Sequence, residues 1–213
     1  MTAISPSAFF QGLTTFVSQA RGQLWCNIPQ QGNLHTGIVN EAGGKIADVS
    51  VGMDLLRHGL RTKSFTIPGQ SFSTITPLSF SGPERSVAYQ PIFTDLNVEF
   101  YLIGKTMVEA RSLYLTLRAW QSHIAGPVRS GNERQVGPTP DVTRFGVSYY
   151  DDCVCDMDAH VYGPDSTADN QSIHVKFYKA YPKSLGDIQV SWENPDAPIT
   201  LSASFAYFYN EPQ

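Results

Sequence analysis

The sequence predicts a mainly β fold: an antiparallel β-sandwich or barrel with one long flanking α-helix and a short N-terminal helix. Three observations carry it. Residues 95–103, DLNVEFYLI, alternate cleanly, with Leu96, Val98, Phe100 and Leu102 on one side and Asn97, Glu99 and Tyr101 on the other. The next stretch, 105–125, switches to a helical period, with Met107, Ala110, Leu113, Tyr114, Leu117, Trp120 and Ile124 in one apolar stripe before the stop signal Gly126-Pro127. From residue 142 to 209 the chain returns to short strand-like runs cut by Gly, Pro and Asn.

In chain order, the first element is a helix within residues 6–20. Ser5 is its cap, Pro6 its first position, and Phe9, Leu13, Phe16, Val17 and Ala20 its apolar face. Its polar face carries Gln, Thr and Ser instead of lysines, so docking on protein fits better than a membrane surface. Strands follow at 23–29, 47–51 and 60–68, and the Gly-rich connection around 30–46 reads as a long loop. After the 95–103 strand and the long helix, a Gly/Pro/Asn-rich bridge at 126–140 leads to strands at 142–150, 153–162, 171–181, 185–193 and 198–209. No internal repeat separates a second core. The expected organisation is a helical segment at 1–21 and a single β domain at 22–213.

Of 213 residues, 41% are hydrophobic, 12% aromatic and only 16% charged. Soluble domains carry about a quarter charged residues, so this surface is poor in what keeps a lone monomer repulsive. No run approaches the ~20 apolar residues of a membrane span, and the start MTAISPSAFFQGL lacks the pattern of a secretory signal. The expectation is a soluble protein made in a cytoplasm, without a membrane partner. Cys26, Cys153 and Cys155 fit a reducing compartment better than a disulfide framework. A net charge of -4 offers no basic footprint for a phosphate backbone.

The densest polar segment is YYDDCVCDMDAHVYGPDSTAD. Asp151, Asp152, Asp156, Asp158, Asp165 and Asp169 fall between Arg144 and Lys176 with no Lys or Arg among them. Period-two geometry puts Asp152, Val154, Asp156, Asp158 and His160 on one face and Cys153, Cys155, Met157 and Ala159 on the other. Carboxylates and imidazole at Asp156, Asp158 and His160 could ligate a metal. Same-face neighbours on one strand stand about 7 Å apart, however, and cannot converge on an ion without ligands from elsewhere. A solvated acidic face is the simpler reading, and no cofactor or metal is expected. Cys153 and Cys155 form a C-x-C without a second pair, which reads as packed thiols. The five histidines are scattered, and no nucleophile elbow or phosphate-cradling loop occurs, so no enzyme is expected.

Four stretches, in order, resemble the tail-tube proteins of contractile-tailed bacteriophages. They are Ser64-Phe65-Thr66-Ile67-Pro68-Gly69-Gln70; the strand Phe93-Thr94-Asp95-Leu96-Asn97-Val98-Glu99-Phe100, followed by a helix with Tyr114 and Trp120; Val147-Ser148-Tyr149-Tyr150-Asp151-Asp152; and residues 181–192, YPKSLGDIQVSW, closing with the aromatic strand at 201–207. Together they cover roughly residues 60–209.

The resemblance implies a small antiparallel β-sandwich or barrel, six copies forming a ring, and rings stacking into a tube inside a contractile sheath. It implies as partners further copies of the chain, the tail sheath, baseplate tube proteins and a tape measure protein, with DNA passing through unbound. On this reading Asp152, Asp156 and Asp158 line the lumen, and Asn33, Leu34, His35, Ile38 and Val39 in the long loop touch an adjacent ring. The alternatives within the fold are a baseplate protein that initiates or adapts the tube, and a phage-derived injection particle without DNA. Outside it stands a monomeric β-sandwich binding module or metal-dependent hydrolase using the Asp-rich face.

Overall fold

Period-two alternation pairs most of the strands into one large curled sheet. The computed structural model describes residues 21–42, 44–59, 62–76, 86–102, 107–127, 145–162, 171–188 and 198–213; the expected helix at 6–20 lies outside them. The strands β1 (Arg21–Cys26), β8 (Cys155–Tyr162), β9 (Gln171–Leu185), β10 (Thr200–Ala206), β5 (Leu96–Tyr101) and β2 (Thr62–Thr66) pair in that order, all antiparallel. β11 (Tyr209–Pro212) also pairs with β9.

β9 belongs to both halves of the sheet. Its first part pairs with β8 and β11, and its last residues pair with β10, so that Phe205 faces Pro182 beside a register shift. The bend falls where Lys179 takes a left-handed φ of 53° and Pro182 withholds a ladder donor. The outer strands β1 and β2 swing close enough that a Cβ on Gly22 would run into the Phe65 ring. They do not pair, so the sheet is an open barrel, not a closed one. This is the mainly β architecture the sequence predicts.

Inward-facing residues of this sheet form the core: Leu24 and Cys26 from β1, Leu96, Val98 and Phe100 from β5, Met157 and Ala159 from β8, Leu201, Ala203 and Phe205 from β10. The long helix, here α3 (Met107–Ile124), adds Leu113, Leu117 and Trp120. The Trp120 ring stands 6.3 Å from Phe205, which in turn stands 6.5 Å edge-on to Phe100.

Two elements correct the sequence reading. The connection around 30–46 is not a loop: Asn33–Glu41 is helix α1. The run 47–51 is not a strand but the start of helix α2 (Ile46–Arg57). Burial explains both, since Leu34 and Ile38 repeat at four residues and Val49, Met53 and Leu56 at four and three, and all five are buried in the core.

Both helices pack on α3. α2 crosses it at Gly52, where a Cβ would strike Thr116 Oγ1 and the Ser112 carbonyl. Thr116 Oγ1 donates to the Val49 carbonyl (3.0 Å), and Arg111 pairs with the buried Asp48 (2.8 Å) across the same contact.

Elsewhere the expected strand at 142–150 corresponds to β7 (Phe145–Val147), paired with β6 (Ala125–Pro127) and followed by the short helix α4 (Tyr150–Cys153); residues 142–144 lie outside the described set. The two strands expected at 171–181 and 185–193 are joined as β9 as far as Leu185; residues 189–193 lie outside the described set. A hairpin not expected at all, β3 (Ser71–Ile75) with β4 (Val87–Ile92), forms a separate two-stranded sheet.

Candidate functional site

Three surfaces stand out, the first of them singled out by the sequence. The first is the outward face of β8. Cys155, Met157 and Ala159 point to the core, while Asp156 and Asp158 are half-buried on the other side. His160 is almost fully covered, its ring 4.2 Å from Trp25 and 4.0 Å from His174, stacked against the latter. Asp152 does not continue this row. It sits in α4, where its Oδ1 accepts from Asn33 Nδ2 (2.7 Å) and its carbonyl lies 3.2 Å from His123 Nε2.

These acids are compensated in space, although not in sequence. Strand pairing puts Lys176 opposite Asp158, and its ammonium lies 3.4 Å from Asp156. Asp158 also accepts from Asn27 Nδ2 (2.6 Å) and lies 3.2 Å from His174 Nε2. Lys179 contributes twice, its backbone N–H to Asp156 (3.1 Å) and its ammonium to Asp151 (2.8 Å). The bond to Asp151 and the nearby charges hold the Lys179 pKa above its usual value; Lys176 is raised too, desolvation opposing and the Asp156 charge prevailing. Among the described residues, no three His, Cys, Asp or Glu side chains converge as metal donors. Asp165 and Asp169 lie outside those residues.

The three thiols are buried. Burial pushes Cys26 up to about 12 and Cys155 well above the usual value, which keeps both as protonated, inert groups.

The second surface is the β3–β4 hairpin. Phe72, Ile75, Val87, Tyr89 and Ile92 are all exposed on it, Tyr89 to 67%. An isolated two-stranded ribbon is marginal in water. One with this much uncovered apolar surface marks a contact site. Nothing in the sequence flags it except the alternation around Phe72 and the aromatic–aliphatic content of residues 87–92.

The third is the outward face of β2, β5, β10 and the end of β9. Thr66 and Asn97 are exposed there, and beside them stand Ser184, Ser202 and Ser204. These residues, with Ser64, line a shallow depression of about 350 Å³. Its one acid, Glu99, is paired with Lys63 at 2.8 Å and accepts from Ser64 Oγ at 3.2 Å. The Lys63 bond and charge pull the Glu99 carboxyl below its usual range.

Of the residues expected to reach a neighbouring ring, Leu34 and Ile38 are 4% and 0% exposed and packed within their own chain. Asn33 is exposed, and His35 and Val39 are half-covered on α1.

The family model described as phage tail tube protein matches residues 37–210. No curated protein matches the sequence. Among solved structures, a chain of the sheath–tube complex of an extracellular contractile injection system in its extended state is 11% identical, with TM-score 0.51 and 99% of each chain covered. A chain of the sheath/tube terminator of such a system is 13% identical at TM-score 0.47, covering 72% of this chain and 86% of the other. An Hcp protein is 10% identical at TM-score 0.40, covering 91% and 98%.

Proposed function

The chain belongs to the phage tail tube protein family, and from that premise we propose that it is a structural, non-enzymatic subunit of a contractile tail. Six copies close into a ring, and rings stack into the inner tube through which DNA is ejected. The observation that carries this reading is the β3–β4 hairpin, an arm whose exposed Phe72, Ile75, Val87, Tyr89 and Ile92 need a neighbour to cover them. The open sheet supports it as well. β1 and β2 each have an unpaired edge among the described residues, and edges of this kind are resolved by pairing or closure across copies.

The partners follow from the place in the tail: further copies of the chain above and below, the sheath outside, baseplate tube proteins at one end and a tape measure protein within during assembly. The protein is built into the virion tail after synthesis in the host cytoplasm. Negative-stain imaging and mass measurement of the purified chain at rising concentration test the reading. Rings and tubes are the expected result, and a monomer persisting at every concentration overturns it.

A further inference from the structure

The Ser-rich face of β2, β5, β10 and the end of β9 has an unusual composition for an exposed sheet. A free monomer protects such a face with lysines and glutamates. Here Thr66, Asn97, Ser184, Ser202 and Ser204 stand in a row of strands where Glu99 is neutralised by Lys63 and the neighbouring Asp95 by Lys183. Nor does it look like a subunit contact, which would carry Trp, Tyr, Phe or Met anchors at its centre. Among the described residues the outward side of these paired strands carries aromatics only toward its ends, Tyr101 opposite Thr200 and the half-buried Tyr181 opposite Ala206. The aromatic side chains lie on the other half of the sheet, where Trp25, His160, His174, Tyr178 and Tyr209 stack along the outward face of β1, β8, β9 and β11.

A face too wet for a contact and too uncharged for an exterior fits one situation, a surface enclosed by assembly but left in water. Resting on the tube reading above, we infer that this Ser-rich face, and not the Asp156–Asp158 row, forms the wall of the bore. Its hydroxyls and amide bond water, and its cations among the described residues, Lys63 and Lys183, are paired with Glu99 and Asp95, so a passing polyanion finds no free positive charge to hold its phosphates. The cargo slides because the wall offers no free positive charge; net acidity is not needed. The acid row, already matched by Lys176, His174 and Asn27, is left for the surfaces between copies.

The buried native thiols make the assignment testable, because Cys26, Cys153 and Cys155 are the chain's only cysteines and leave little background. Ser202→Cys and, independently, Thr66→Cys are assembled into tubes and exposed to a small maleimide or to one carried on a polyethylene-glycol chain too bulky to enter a tube. The expected result is labelling by the small reagent and loss of labelling by the bulky one on assembly, with both reagents reacting in the dissociated chain. Labelling of intact tubes by the bulky reagent places the face outside and overturns the assignment. Protection from both reagents places it in a subunit contact and overturns it equally. A wild-type chain that never assembles overturns the tube reading itself, a result separate from tubes that form with the face exposed.

Discussion

The indole Nε1–H of Trp120 donates to the carbonyl of Cys153 at 2.7 Å, fully buried, so that the long helix is locked to the turn that launches β8. Replacing Trp120 with Phe keeps an aromatic against Phe205 but strands that carbonyl without its donor. A lost buried hydrogen bond costs about 1–3 kcal/mol. Urea unfolding of Trp120→Phe is expected to show a loss of that order, and a still larger one for Trp120→Ala because a cavity opens beside Phe205.

Gly52 tests the crossing of α2 and α3. In an isolated helix Gly→Ala gains about 1 kcal/mol from propensity. Here the added methyl meets Thr116 Oγ1 and the Ser112 carbonyl, and overpacking costs about 1–3 kcal/mol. The clash with backbone decides the sign. Gly52→Ala is expected to lower the thermal midpoint, and Gly52→Val to lower it further.

Alkaline pH should weaken the fold through its thiols. Cys26 rises from 9.0 to about 12 by burial, and Cys155 rises in the same direction. The folded chain therefore keeps protons that the unfolded chain releases above pH 9. Stability is full below that pH and falls as pH climbs toward 12, by about 1.4 kcal/mol per pH unit for Cys26, with Cys155 acting in the same direction. Unfolding curves across this range check the slope, and Cys26→Ala should reduce it by one proton's worth.

The arm makes a prediction that separates folding from assembly. Phe72→Asp with Tyr89→Asp changes side chains that are exposed on the hairpin. The unfolding midpoint should stay within about 0.5 kcal/mol of wild type, as surface substitutions do. On the proposed ring assembly, sedimentation should show the double variant remaining monomeric at concentrations where the wild-type chain associates.

Much of the fold was legible where a single period ran undisturbed. β5 and β10 bury every second residue, Leu96, Val98 and Phe100 against Leu201, Ala203 and Phe205, and α3 buries its expected Leu113, Leu117 and Trp120. α1 and α2 were masked by glycine. Gly52 weakens a helical reading of its segment, yet its missing side chain is what lets α2 lie against α3. The arm was hidden because both its faces are exposed, so no buried alternation marks it. The acidic segment was correctly located but misjudged in charge. Lys176 and Lys179 enter it from β9 through cross-strand register, a relation that spacing along the chain does not record.

β9 also governs how the chain completes its fold. One continuous strand supplies a ladder to β8 on one side and, past its bend, to β10 on the other, so the stability of each half of the sheet is tied to the other through a shared strand. The β10–β5 ladder joins distant stretches of chain, Phe205 with Leu96, and such closures set the pace of folding. The chain therefore completes its fold in one late step that closes both halves of the sheet together.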